Sequence, residues 1–316
     1  MEDVAMDERE TLRPTVSVIV CTRDRGDALL STVYSILADA PTDGTVDLLV
    51  VDQSDGDSVR QALAVVSDAR LQYRCEPSRG LSAARNAGIR ASRGDLIAFT
   101  DDDCVVEAGW LAAIRAAFVA HPEAGVVFGH VACAEHDPSQ GYLPGFRAQE
   151  GPLTRRRMLE GAGHWGMGAN MALRRSAFER IGPFDERLGA GAVMKSAEDV
   201  DYALRAHLSR IGVYHTATAR VVHHGFRPWA QASMLMRGAS SGIGAMYAKH
   251  VRARHGFALV LWLSDLRGRS FDVARNAVRL RRPLGANALI YQVSGFSRGW
   301  RMPVARPATT TGLVFV

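Results

Sequence analysis

Three adjacent carboxylates, Asp101-Asp102-Asp103, close an apolar run, Leu96-Ile97-Ala98-Phe99-Thr100. Carboxylates this close repel one another strongly unless a cation sits among them. Hard oxygen ligands favour Mg²⁺ or Mn²⁺, and such ions usually complete their shells with substrate phosphates. The same triplet would also serve as a solvated acidic turn or a helix N-cap. A second acidic pair, Glu198-Asp199, opens a helical stretch, where capping and the helix dipole both favour carboxylates. An aspartate held there stays ionised at neutral pH and could accept the proton of an attacking hydroxyl, as a weak base acting late in the reaction. His223 and His224 end a strand, so their side chains point to opposite faces. One could ligate a metal while the other packs or meets solvent. The segment from Arg79 to Gly88 sets arginine among small residues at a helix start, which suits either phosphate contact or tight helix packing. No Walker P-loop and no G-x-G-x-x-G fingerprint occurs, which counts against P-loop ATPase and dehydrogenase readings.

Such groups need elements to hold them, and strand and helix signals alternate at short spacing through the first half. Strands are predicted at Val16 to Cys21, Val46 to Val51, Leu71 to Arg74, Leu96 to Thr100 and Val126 to Val131. Helices are predicted at Ala28 to Leu37, Val59 to Val66, Leu81 to Ala91 and Leu111 to Ala120. The pattern predicts an α/β fold with a mainly parallel sheet, whose strand carboxyl ends bear the polar residues. Glu135 to Gly166 reads as a long loop or lid. A strand near Gly168 to Arg174, a helix near Ser176 to Ile181, a helix from Glu198 to Ile211 and a strand from Ala219 to Val222 follow. Beyond Pro228 three helical segments are expected, near Ala230 to His250, Phe257 to Leu266 and Phe271 to Leu280.

The 316 residues, 47% hydrophobic and 22% charged, suit one large α/β domain with an appendage. Phe226 to Val316 holds fourteen Lys or Arg against Asp265 and Asp272, a balance of +12 that leaves −7 for the first 225 residues of a chain at +5. In that basic stretch Arg275, Arg279, Arg281 and Arg282 interleave with Phe271, Val273, Val278 and Leu280, the pattern of a helix that lies on an anionic surface. Packing on the catalytic domain or homodimer formation is the alternative. Cys21, Cys75, Cys104 and Cys133 form no C-x-x-C pair and read as reduced thiols. The acidic N-terminus lacks an apolar signal segment, and Phe257 to Leu263 falls short of the about 20 residues that span a membrane. A cytoplasmic protein is therefore expected, with peripheral contact at the inner membrane face as a further expectation.

Taken in order, five segments resemble the family 2 glycosyltransferases with a GT-A type fold: Val16 to Arg23, Val51 to Asp55, Ala84 to Gly88, Phe99 to Asp103 and Glu198 to Tyr202. The resemblance covers roughly residues 15 to 225. It implies an inverting transfer from a nucleoside-diphosphate sugar, with UDP-sugars favoured, to an acceptor hydroxyl, assisted by Mn²⁺ or Mg²⁺. Thr22 and Arg23 would line the donor nucleotide, Asp52 would read the base, and Arg85 and Asn86 would shape the nucleotide and diphosphate pocket. Asp101 and Asp103 would hold the metal, with Asp102 or Asp101 on the ribose. Asp199 would be the general base. His223 is the expected additional metal ligand and His224 the fallback. The implied layout is a tail over 1–14, a catalytic domain over 15–225 divided near residue 134 into nucleotide and acceptor halves, and a basic helical appendage over 226–316.

The acceptor side is read from Trp165, Asn170 and Glu198. An indole beside polar groups is a common sugar-stacking arrangement, and Trp165 fits a core position equally well. The acceptor itself stays open, with a lipid-linked or acidic molecule as one candidate class and no nucleic acid expected. Two rivals share the features: a nucleotidyltransferase, and a catalytically silent sugar-nucleotide-binding module. The turn Thr22-Arg23-Asp24-Arg25-Gly26 fits the Gly-rich signature of the first poorly, and the intact acidic groups argue against the second.

Overall fold

The computed structural model describes residues 14–278, 286–305 and 314–315. The tail over 1–13 and the expected contributions of Arg279, Leu280, Arg281 and Arg282 lie outside the described residues.

Four strands alternate with helices: β1 (Val16–Thr22), α1 (Gly26–Asp39), β2 (Val46–Asp52), α2 (Ser58–Leu63), β3 (Leu71–Cys75), α3 (Leu81–Ala91) and β4 (Leu96–Asp101). β1, β2 and β4 are runs of Val, Ile, Leu and Phe buried on both faces, as parallel strands sandwiched by helices must be. The parallel register places Thr22 beside Asp52, Cys21 beside Asp101, and Asp52 beside Cys75. Four strand ends thus finish at one edge of the sheet, where ligands bind in open α/β sheets.

The second half departs from a simple parallel pattern. After Asp101 a two-residue turn leads into β5 (Cys104–Val106), then α4 (Trp110–Ala120) and β6 (Ala124–Cys133). Within the expected lid lie β7 (Gly141–Tyr142), β8 (Gly151–Pro152), α5 (Arg155–Met158) and a 3₁₀ turn over Ala162–His164. β9 (Asn170–Arg174), α6 (Arg175–Ile181), α7 (Glu198–Leu208), β10 (Gly212–His223) and β11 (Arg227–Pro228) follow. The sheet order is β3-β2-β1-β4-β9-β6-β10-β5, with β8 also on β10. β9 runs antiparallel to both β4 and β6, and β5 antiparallel to β10. β10 is three times the length expected, because its polar middle, Thr216-Ala217-Thr218, falls where the register to β6 shifts. Its last residue, His223, pairs with Cys104, which carries the histidine up to the acidic triplet.

Three helices complete the described chain: α8 (Trp229–Arg252), α9 (Gly256–Val278) and α10 (Ala286–Arg301), followed by short strands β12 (Val304–Ala305) and β13 (Val314–Phe315). Two helical segments were expected where α9 runs unbroken, since one interior glycine, Gly268, costs a helix only ~1 kcal/mol. α10 was not expected. It lies close on α8, where a Cβ on Gly295 or Gly299 would run into the backbone of Ser241 or Ala245. α8 also reaches the catalytic half through buried charges. Lys249 Nζ is 2.7 Å from a carboxylate oxygen of both Asp185 and Asp201, and Asp201 also accepts from Arg205 at 2.9 Å and pairs with His250 at 3.0 Å. Burial alone would raise the Asp201 carboxyl, but Lys249, Arg205 and His250 more than offset it and hold it well below the usual range. Among the described residues no helix is long and apolar enough to cross a membrane.

Candidate active site

At the carboxyl edge of β1 and β4 a cavity of about 340 Å³ is lined by Thr22, Arg23, Arg25, Gln53, Asp101, Asp102, Asp103, Ala190, Gly191 and Arg227, among others. Asp102 is the most tightly held member of the triplet. Its Oδ2 accepts from Thr22 Oγ1 at 2.7 Å, its Oδ1 from Arg25 Nη1 at 3.0 Å, and its carbonyl from Thr32 Oγ1 at 3.1 Å. Burial still pushes its carboxyl up to about 6, against the pull of Thr22 and Arg25 and with the push of its acidic neighbours. Asp103 behaves oppositely. Burial would raise it, but the hydrogen bond and charge of His223 and the charge of Arg25 bring it down to about 2. Two neighbouring carboxyls of one triplet are therefore shifted in opposite directions.

The donor set fits a hard divalent cation. His223 Nε2 stands 3.2 Å from Asp103 Oδ1, the ring is buried, and its Nδ1 has no hydrogen-bond partner among the described residues. Gly225 keeps this corner open, because a Cβ there would collide with Asp103 Oδ2 and come within 2.9 Å of His223 Nε2. Cys104 brings its Sγ within 4.8 Å of the same ligand atoms, but a soft sulfur suits Mg²⁺ or Mn²⁺ less well than the carboxylate oxygens beside it. Asp101 stands at the end of β4 with its side chain 30% exposed to the cavity. His224 is exposed: its backbone N–H donates to the carbonyl of Asp103 at 2.8 Å, and the residue lines the adjoining cleft with Asp103 and Arg25.

Across from the triplet, Arg85 on α3 is fully buried and forms a bridge. Its guanidinium is 3.5 Å from Asp101, donates to Glu198 Oε1 at 3.1 Å and to the carbonyl of Gly168 at 3.1 Å. The first turn of α7 is thereby joined to the end of β4. Ala197 enters that turn in the left-handed region, at φ 79°, a strained start that places Glu198 and Asp199 side by side. Burial and the neighbouring Asp199 charge push the Glu198 carboxyl well above the usual range despite Arg85. Asp199 Oδ2 accepts the N–H of Gly168 at 2.8 Å and its Oδ1 the N–H of Val200 at 2.7 Å, which fixes the carboxylate's plane.

Two expected acceptor-side roles, those of Trp165 and Asn170, do not survive this geometry. Trp165 is fully buried, donates to the carbonyl of Met158 at 3.0 Å and meets Tyr247 edge-on, so it is a core residue and no sugar platform. Asn170 is buried too. It accepts from Trp110 Nε1 at 2.9 Å and donates to the carbonyls of His130 and Ala219, so its amide locks β9 into the sheet instead of facing an acceptor. Asn86 exchanges two hydrogen bonds with the backbone of Phe184, which tethers the 184–191 loop to α3, and it does not line the cavity. Asp52 accepts from Ser54 N–H and hydroxyl and from Tyr73 at 2.9 Å; the cavity wall at this point is its neighbour Gln53. Thr22 and Arg23 do line the cavity, with Arg23 exposed and paired to Asp24 and Asp55.

Arg25 and Arg227 were given no site role from the sequence, yet both line the cavity. A signal for Arg25 existed: three adjacent aspartates demand a compensating cation, and the polar turn after β1 offers two arginines. Arg227 had none, since only the pairing of β11 with β7 brings it over the triplet.

The Glycosyl transferase family 2 model matches residues 17–182. The O-antigen biosynthesis protein RfbC of Myxococcus xanthus is 30% identical over 232 residues, covering 67% of this chain and 17% of that protein. This chain thus spans about a sixth of that relative's length. The mannosyltransferase PcManGT of Pyrobaculum calidifontis, solved with GDP-Man and Mn²⁺, matches with a TM-score of 0.61 at 18% identity, over 92% of this chain and 88% of that one. S. aureus TarS 1-349, solved with UDP-GlcNAc, matches with a TM-score of 0.55 at 15% identity, over 90% of each chain. These likenesses show the GT-A type fold.

Proposed function

The chain belongs to glycosyl transferase family 2, and from that premise we propose that it inverts the anomeric centre of a sugar while moving it from a nucleoside diphosphate to an acceptor hydroxyl. The single observation that carries the reading is the Arg85 bridge, which sets the Glu198-Asp199 turn against the triplet across one cavity edge. A diphosphate site and a fixed carboxylate base then flank the place where an anomeric carbon would sit.

Asp101, Asp103 and His223 would hold Mn²⁺ or Mg²⁺, which supplies positive charge to the departing diphosphate. Arg23, Arg25 and Arg227 line the same cavity and add guanidinium donors suited to phosphate oxygens. Thr22 and Gln53 form the wall nearest the ends of β1 and β2, where the nucleoside would lie. Uridine is the favoured base; of the two similar structures, one was solved with a guanosine and the other with a uridine nucleotide sugar. Asp199, oriented by the Gly168 N–H, takes the acceptor proton as the leaving group departs. Glu198 is paired to Arg85, which engages the other carboxylate of this turn and supports a single displacement. A lipid-linked or otherwise acidic acceptor is the favoured class, given the basic balance of +12 after residue 225.

Incubation with a panel of nucleotide sugars, with Mn²⁺ and with excess chelator, tests the reading. Release of nucleoside diphosphate that stops in chelator and in Asp103→Ala is expected. Pyrophosphate release would indicate nucleotidyl transfer, and full activity in chelator would remove the metal from the account.

A further inference from the structure

The outer face of α9 shows side chains that a helix packed on both sides would hide. Val260, Leu263, Phe271 and Val278 are exposed by 50, 53, 65 and 84%. With Arg267 and Arg275 they recur at intervals of three or four residues, so all six fall on one stripe along five helical turns. The inner face holds Ala258, Leu261 and Asp265, which are buried against the rest of the protein. α9 is therefore an amphipathic helix whose outward stripe is apolar and basic at once.

The acids of this stretch offset only part of that charge, because Asp272 compensates Arg275 while no ion pair to Arg267 occurs among the described residues. After residue 225 the sequence has only Asp265 and Asp272. Asp265 is buried, where it accepts from Gln292 at 2.9 Å, and Asp272 is paired with Arg275 at 3.0 Å. A second copy of the chain would be a poor occupant of the stripe, because a two-fold contact sets like charges together and interface cores are depleted of charge. A nucleic acid would meet the arginines but leave Leu263, Phe271 and Val278 in water, since its backbone is bound through cationic and polar groups. An anionic lipid surface satisfies both halves: the acyl boundary takes the apolar side chains while lipid phosphates take the guanidinium heads.

We propose that α9 seats this protein on an anionic membrane surface through Val260, Leu263, Arg267, Phe271, Arg275 and Val278, without crossing it. The inference goes beyond the transfer reaction and does not depend on it. It also has a geometric consequence. Ser264 Oγ donates to the carbonyl of Leu159 at 2.9 Å, and Arg155 lies over the Phe257 ring at 4.9 Å. The membrane-facing helix is thus anchored to the segment that leads to Gly168, the residue holding Asp199.

Co-sedimentation with vesicles of phosphatidylcholine alone, and of phosphatidylcholine with phosphatidylglycerol, tests this at low and moderate salt. The full chain is expected to pellet with the anionic vesicles only, and less so as salt rises. Arg267→Ala should weaken binding about fivefold, the worth of one cation near an anionic surface. The double variant Leu263→Asp, Phe271→Asp should abolish it with the thermal midpoint unchanged, because both side chains are exposed. Recovery of the wild type in the supernatant with both vesicles would overturn the proposal, as would equal binding to the neutral ones or undiminished binding by the double variant. A dimer in light scattering that the double variant loses, without vesicle binding, would assign the stripe to a second copy instead.

Discussion

Arg25 donates through Nη1 to Oδ2 of Asp103 at 2.8 Å. The same nitrogen reaches Asp102, so one guanidinium bridges two of the three adjacent carboxylates, while Arg85 lies beside the third. Any divalent ion at Asp103 must compete with it. Arg25→Met is therefore expected to bind Mn²⁺ about fivefold more tightly by calorimetry, the scale of a half-exposed ion pair worth ~1 kcal/mol. Unchanged or weaker affinity would mean that Arg25 helps the metal site instead of competing with it.

Gly225 offers a test of the cradle that spares every charged group. A methyl at this position would force Asp103 Oδ2 aside and crowd His223 Nε2. Gly225→Ala should keep the fold, with a thermal midpoint within a few degrees of the wild type, yet lose Mn²⁺ affinity by about tenfold or more. Wild-type affinity in this variant would place the ion away from Asp103 and His223.

His215 sets a pH dependence of stability. Its Nε2 lies 2.9 Å from the carbonyl of Trp165 and its Nδ1 3.0 Å from the Arg157 guanidinium, so the neutral ring with its proton on Nε2 satisfies both. Burial, with the Arg157 charge, brings the imidazole down to about 4, although the Trp165 bond opposes the shift. A depressed folded value means that the unfolded chain takes the proton first. The stabilising contribution is whole above about 6.5 and is lost as pH falls toward about 4, amounting to roughly 3 kcal/mol at most. His215→Gln should be less stable than the wild type at pH 7, and the gap should narrow across that window in denaturant titrations. A gap independent of pH would show that His215 titrates normally.

Much of the nucleotide-binding half was legible because its strands are continuous apolar runs and its helices carry clear apolar faces. Leu81 to Ala91 was bounded as α3 folds. What escaped was long-range pairing. The three residues of β5 carry no periodic signal, and only their union with β10 brings His223 to Asp103. Trp165 and Asn170 show the same limit from the other side: residue type suggested a sugar site, whereas Met158, Trp110 and Ala219, distant or unremarkable in sequence, claim their polar atoms. Arg85 was read as a nucleotide-pocket residue; the sequence held no sign that it also joins the triplet to the α7 turn.

The central claim is that Asp199 removes the acceptor proton at a site assembled around the triplet. Asp199→Asn keeps the hydrogen bond from Gly168 available to an oxygen while removing the basic group. With the metal loaded and the nucleoside diphosphate identified, binding of that nucleotide should stay within about twofold of the wild type, while turnover falls by about 10²-fold or more, the usual scale for a general base. Normal turnover in Asp199→Asn would contradict the account and reduce Asp199 to the first turn of a helix.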